Sequence, residues 1–159
     1  MDFIDSIKKT KEDSYVMASL PSETRNEALD NIAKALRANR EAIFEANKKD
    51  LEAAKEMSLA GPIINRLAFD QHKLDTCIDG IYDLIDLDDP LFKDLLKREL
   101  DKDLILTKTT CPIGVIGVIF ESRPDALVQI ASLCIKSGNC AILKGGSEAK
   151  NTNRILFDT

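Results

Sequence analysis

Eight consecutive residues, Ile113-Gly114-Val115-Ile116-Gly117-Val118-Ile119-Phe120, carry no charge and almost no polarity. A short run so rich in β-branched residues, bounded by Cys111-Pro112 and by Glu121-Ser122-Arg123-Pro124, reads as a strand buried on both faces, as parallel sheets require. Leu127, Ile130, Ala131 and Cys134 then recur at helical spacing, with Ser122 as the expected cap, Pro124 in the first turn and Gly138 at the end. Cys140-Ala141-Ile142-Leu143 makes a second buried strand, Lys144-Gly145-Gly146 a turn, and Ser147 the cap of a last helix. Strand, helix, strand, helix at these lengths predicts parallel neighbours joined by a crossover, half of a doubly wound nucleotide-binding sheet. Two parallel strands leave an edge and both faces uncovered, so the 159 residues are expected to be a piece of a longer chain.

The preceding residues have a different texture. Of 49 charged side chains, 40 fall in residues 1 to 110 and nine in residues 111 to 159. Residues 1–100 read as mainly helical. A first helix runs from near Phe3 to Leu20 and stops at Pro21, with Ser22 as the next cap. Leu29, Ile32 and Leu36, then Ile43, Phe44, Leu51 and Ala54, give two helices or one kinked helix, halted at Gly61-Pro62. Asp70 opens another, whose stripe of Leu74, Cys77, Ile78, Ile81, Leu84 and Ile85 reads as core, before Asp88-Asp89-Pro90 forces a turn. Residues 103–111 change to β-branched texture and read as a strand, one arm of a hairpin available for oligomerisation. No repeat or Pro- or Gly/Ser-rich linker divides the chain, which predicts one unit.

Composition removes several function classes. With 44% hydrophobic and 31% charged residues the chain is globular, and a net charge of −5 offers no basic footprint for nucleic acid. No apolar run approaches the ~20 residues of a spanning helix, so no membrane partner is expected. Met1-Asp2-Phe3-Ile4-Asp5 lacks the basic and apolar blocks of a secretory signal, which predicts a cytoplasmic protein. Cys77, Cys111, Cys134 and Cys140 form no Cys-x-x-Cys pair and read as reduced thiols, and His72, the sole histidine, reads as a surface residue, so no metal is expected.

In parallel sheets ligands bind beyond the carboxyl ends of the strands, here the loops Phe120 to Pro124 and Lys144 to Glu148. In the second loop Gly145 and Gly146 permit close backbone approach, Ser147 starts a helix whose free amides would favour an anion, and Lys144 adds a cation. In the first, Arg123 offers a bidentate grip for a carboxylate or phosphate, or pairs with a neighbour at the surface.

Taken together, residues 111 to 125, Lys136-Ser137-Gly138-Asn139 and Lys144-Gly145-Gly146-Ser147-Glu148-Ala149 closely resemble the gamma-glutamyl phosphate reductase (glutamate-5-semialdehyde dehydrogenase) family of the aldehyde dehydrogenase superfamily. Ala46-Asn47-Lys48-Lys49-Asp50-Leu51-Glu52-Ala53-Ala54-Lys55 and Asn65-Arg66-Leu67 extend the resemblance across the chain. Parts of residues 99 to 133 are also similar to the reductase half of bifunctional pyrroline-5-carboxylate synthases.

The resemblance implies an aldehyde-dehydrogenase-like α/β fold: N-terminal helices followed by the first β-α-β-α units of a parallel Rossmann-type cofactor domain. It also implies NADPH-dependent reduction of gamma-glutamyl phosphate to glutamate 5-semialdehyde and phosphate, on the way to proline, in a homo-oligomeric full-length enzyme. The nucleophilic cysteine of that family lies in a downstream domain whose motif none of the four cysteines here matches, so no catalytic residue is expected within the chain. By position, Ile119, Phe120, Glu121 and Ser122 look like the loop passing beside the cofactor, and Lys144, Gly145, Gly146, Ser147 and Glu148 like the adenosine-ribose turn. Arg123 stands where aldehyde dehydrogenases carry an oxyanion-donating asparagine and is expected to hold the substrate anion instead. Glu148 lies one position beyond the family's Lys-x-x-Glu spacing, which favours a 2′-phosphate over a plain ribose diol. The competing reading is a nucleotide-binding or oligomerisation module without chemistry.

Overall fold

The computed structural model describes residues 2–159. Five helices come first: α1 (Phe3–Ser19), α2 (Ser22–Ala38), α3 (Arg40–Glu56), α4 (Gly61–Leu67) and α5 (Gln71–Asp86). An antiparallel hairpin of β1 (Asp94–Asp101) and β2 (Leu104–Thr109) follows, and then β3 (Val115–Ile119), α6 (Pro124–Lys136), β4 (Cys140–Lys144), a single 3-10 turn (Ser147–Ala149) and α7 (Lys150–Asp158).

β3 and β4 are parallel neighbours in the register Val115 to Cys140 through Ile119 to Lys144, so both strands end at the same level. The amide of Phe120 donates to the Lys144 carbonyl at 3.1 Å, carrying the pairing one residue past β3. Gly138 closes α6 at φ 65° with its amide on the Ile135 carbonyl, the left-handed C-terminal geometry that glycine adopts without strain.

The core lies between α2, α3, α5, α6 and α7. Leu29 and Leu36 of α2, Ile43 of α3, Leu74 and Ile78 of α5 and Leu127 of α6 are all buried in one cluster. Arg25 crosses this interior: buried to 2% exposure, its guanidinium donates to the Leu20 carbonyl, the Lys136 carbonyl and, at 2.7 Å, Asp89. Lys136 of α6, also buried, answers with its ammonium on Asn26 and on the carbonyls of Ile85 and Leu87. These bonds fasten the crossover helix to the helical layer, and α6 in turn sets where the loop after β3 stands.

Several local expectations change. Ser22 is the first residue of α2 rather than its cap, because Pro21 already takes the extended conformation there and no side chain caps the helix. Gly61-Pro62 does not halt the preceding helix, which already ends at Glu56, but starts α4, with the proline ring at a position whose N–H has no helical partner. Residues 94 to 100, read as part of the helical region, form β1; Leu95, Leu96 and Leu100 flanking the charged run Lys97-Arg98-Glu99 lack the alternation of a strand, and only pairing with β2 decides for strand. β3 is half-buried to exposed instead of covered on both faces, since it has β4 on one edge and, among the described residues, no strand on the other.

Candidate functional site

The common end of β3 and β4 opens into a cleft of about 870 Å³, lined by Ile119, Phe120, Glu121, Ser122, Lys144, Gly145, Gly146, Ser147 and Glu148, with Met57, Leu59 and Ile63 forming the opposite wall. All nine residues named for a cofactor from the sequence therefore converge on one concavity. The opposite wall comes from the α3–α4 connection and the first turn of α4, whose apolar residues carried no signal of their own in the sequence.

Ser122 and Glu148 join the two loops. The Glu148 Oε1 accepts from the Ser122 amide at 2.6 Å and from the Ser122 hydroxyl at 2.7 Å. Ser122 is buried and sits at φ 45°, a strained left-handed conformation for a residue with a side chain. Its hydroxyl is therefore spent on Glu148 and does not cap α6, whose N-cap is Arg123 without a side-chain bond. The Glu148 carboxyl is held below the usual carboxylate range, first by its own backbone N–H and then by the two Ser122 donors, against the opposing effect of burial. Gly146 makes room for this fold-back: a Cβ there would collide with the Glu148 carboxylate.

The helix amides expected to be free for an anion are occupied. Ser147 lies inside the 3-10 turn and does not cap α7. Asp50 of α3 does so from 101 residues away: Oδ1 accepts from the Asn151 amide and side chain at 3.1 and 2.8 Å, and Oδ2 from the Thr152 amide and hydroxyl at 2.8 and 2.6 Å. A carboxylate thus already fills the anion position at the start of α7. The exposed ammonium of Lys144 is left as the cation at the cleft. Asn47, one turn before Asp50, bonds Thr152 at 3.1 Å, the Leu67 carbonyl at 2.9 Å and the Phe69 amide at 2.8 Å, tying the ends of α4 and α7 together. The Asn47-x-x-Asp50 spacing places both side chains on one face of α3, the signal by which the pair could have been found.

Arg123 is exposed and points away from this cleft into a smaller depression, where it bonds Asp125 at 3.0 Å. Of the four cysteines none lines the cleft. Burial pushes the Cys77 thiol up to about 11 and raises those of Cys134 and Cys140, while Cys111 is exposed. His72 is exposed, and among the described residues no cluster of three metal-ligating side chains occurs. No helix among the described residues is long and apolar enough to cross a membrane.

No family model matches the chain. Over 156 residues it is 54% identical to the gamma-glutamyl phosphate reductase of Pelotomaculum thermopropionicum, an alignment that covers 98% of this chain and 36% of that protein. The enzyme of the same name from Methanosarcina mazei is 49% identical, with 99% and 36% covered. The crystal structure of gamma-glutamyl phosphate reductase from Saccharomyces cerevisiae superposes with a TM-score of 0.93 at 44% identity, covering 98% of this chain and 40% of that one.

The chain is homologous to gamma-glutamyl phosphate reductases.

It spans about a third of the length of the curated gamma-glutamyl phosphate reductases it matches. The Thermotoga maritima gamma-glutamyl phosphate reductase gives the same TM-score, 0.93, at 33% identity, covering 98% of this chain and 37% of that one. A Bacillus subtilis chain assigned as an aldehyde dehydrogenase superposes at a TM-score of 0.67 with 16% identity, which bears on the fold alone. The α/β fold class read from the sequence, aldehyde-dehydrogenase-like, is the one observed.

Proposed function

We propose that these residues form the cofactor-binding part of an NADPH-dependent reductase that converts gamma-glutamyl phosphate to glutamate 5-semialdehyde and phosphate in proline biosynthesis, within a cytoplasmic homo-oligomer. One observation carries this reading: the parallel pair β3 and β4 brings both candidate loops to a single cleft at its carboxyl end, where ligands of such sheets bind.

The residues present fit a dinucleotide. The cleft is roomy enough for one nucleoside half, and Lys144 would supply a cation for a 2′-phosphate. With Asp50 seated at the start of α7, that helix end offers no free amides, and Lys144 is the residue that would hold a cofactor phosphate at the cleft. When bound, the nicotinamide nucleotide supplies hydride to the acyl carbon.

The nucleophile would come from polypeptide outside these residues: a cysteine thiolate there would attack the acyl carbon as phosphate leaves with the bonding pair, and reduction of the resulting thioester would release aldehyde and return the thiolate. This fits the raised thiols of Cys77, Cys134 and Cys140 and the absence of all four cysteines from the cleft lining. Within the chain, Arg123 holds the substrate anion, Ser122 and Glu148 fix the loop between the two ligands, and Ile119 and Phe120 shape the floor beside the cofactor. Titration with NADPH, followed by fluorescence, tests the reading: saturable submillimolar binding that weakens on Lys144→Ala supports it. No binding at millimolar NADPH, together with stable oligomers in sedimentation, would instead make the chain an assembly module.

A further inference from the structure

The loop Ser122-Arg123 separates two concavities. Ser122 faces the large cleft, while the next residue, Arg123, lines a depression of about 300 Å³ together with Asn65, Arg66, Lys73 and Asp125. Three cations and one carboxylate meet there, from three separate elements: α4 brings Asn65 and Arg66, α5 brings Lys73, and the start of α6 brings Asp125. Lys73 is engaged, its ammonium on the carbonyls of Arg66 and Ala68. The guanidinium of Arg66 makes one long bond, Nε to the Pro62 carbonyl at 3.3 Å, and that of Arg123 bonds only Asp125 among the described residues. Both therefore keep unused N–H donors, the fork that matches a carboxylate. Asp125 is 7% exposed, and its Oδ1 is a buried acceptor with no partner. Such an orphan is costly in a folded protein unless a ligand satisfies it, and rotation about the Cβ–Cγ bond exchanges its two oxygens readily.

We infer that this depression is the subsite for an α-amino-acid end group: Arg66 and Arg123 grip the α-carboxylate, Asp125 takes the α-ammonium, and the rest of the ligand passes over the Ser122-Arg123 loop towards the cleft. The inference rests on the proposed reductase reading and adds Asn65, Arg66 and Asp125 to it as residues that select a zwitterionic substrate. A depression lined by cations alone would accept any anion; the buried carboxylate beside them is what discriminates in favour of an ammonium next to a carboxylate.

The test uses the full-length enzyme, in the direction of phosphate- and NADP-dependent oxidation of glutamate 5-semialdehyde. Arg66 is exposed and its replacement leaves the core intact, so Arg66→Ala is expected to raise KM for the semialdehyde at least about tenfold, the loss of a charged hydrogen-bonded pair. KM for NADP and saturating kcat should stay within about threefold, with part of the loss recovered in Arg66→Lys. Asp125→Asn should raise the same KM without altering that for NADP. Unchanged KM in both variants, or a fall in kcat with KM constant, overturns the inference while wild-type turnover leaves the reductase reading standing. A wild-type enzyme without any turnover of the semialdehyde overturns both.

Discussion

Glu148 holds Ser122 twice through a single carboxylate oxygen, at 2.6 Å from the amide and 2.7 Å from the hydroxyl, across 26 residues of sequence. Because the Glu148 pKa is lowered from 4.5 in the folded chain, its charged form is the one that stabilises. The contribution is fully present above about pH 4.5, the unfolded value, and is lost as pH falls through the depressed folded value. Glu148→Gln should therefore flatten the acid-side decline in melting temperature below pH 5. Gly146→Ala should act differently, forcing the carboxylate off Ser122 by steric contact and weakening NADPH binding at neutral pH. Melting curves of both variants from pH 3 to 7 check this, and an acid limb of wild-type slope in Glu148→Gln would contradict it.

Asp50 accepts four hydrogen bonds at the start of α7 and is 3% exposed. Truncation to alanine leaves buried donors without partners and removes a charge from a helix N-terminus. A cost on the order of 2–4 kcal/mol follows from the worth of a cap and of charge-assisted bonds. Urea unfolding measures it; a change under about 1 kcal/mol would mean that water replaces the carboxylate without penalty.

The buried Arg25 is the bridge between α2, α6 and the turn before β1. Arg25→Ala should destabilise by about 3–5 kcal/mol, because it leaves Asp89 without its guanidinium and two carbonyls without their donor. Lys136 is less exacting. Burial lowers its pKa, partly opposed by Asp89, so its charge is carried at a cost, and Lys136→Met should be distinctly milder than Arg25→Ala. Equal losses in denaturant titrations would remove this distinction.

How far the sequence discloses this architecture depends on whether a residue's partner is local. β3, α6, Gly138 and β4 are legible because each is set by its own composition or by the next turn of chain. The nine cleft residues are legible for the same reason: a parallel pair places both following loops at one end regardless of what surrounds them. The caps are not. Ser122 and Ser147 have the right side chains beside helix starts, yet Glu148 claims the first and Asp50 supplies the anion at the second. Asp50 lies 101 residues from Asn151, and no helix-start pattern reveals a cap donated across the fold. β1 is missed for a related reason, since Leu95-Leu96 followed by the charged run Lys97-Arg98-Glu99 lacks the period-2 alternation of a strand, and only the opposite strand resolves it.

Thiol reactivity separates the four cysteines. The thiols of Cys77, Cys134 and Cys140 are raised by burial, that of Cys77 to about 11, so little thiolate exists at neutral pH, and Cys77 and Cys134 are also buried from reagent. Cys111 is exposed. Brief treatment with iodoacetamide at pH 7.5 should label Cys111 first, and Cys111→Ser should keep NADPH affinity unchanged. Peptide mass spectrometry reads the order of labelling; early modification of Cys140 would show that the β4 region opens in solution.

The hairpin of β1 and β2 is exposed along its whole length, on both faces. Leu96 and Leu106 share one face, in rows with Arg98 and Lys108, and Ile105 lies opposite Glu99 on the other. These three side chains are 47, 47 and 54% exposed, an apolar surface that two strands alone bury poorly. If the hairpin joins copies of the full-length protein, as the homo-oligomer in our proposal requires, a charge at the apolar face should separate them, because an unpaired lysine is costly to bury between subunits. The double variant Leu96→Lys, Leu106→Lys should shift sedimentation from oligomer to monomer while leaving the far-ultraviolet helical signal intact, since neither residue touches the helical core. An unchanged oligomer would place the contact elsewhere on the molecule, and loss of helical signal would show that the hairpin supports the fold rather than the assembly.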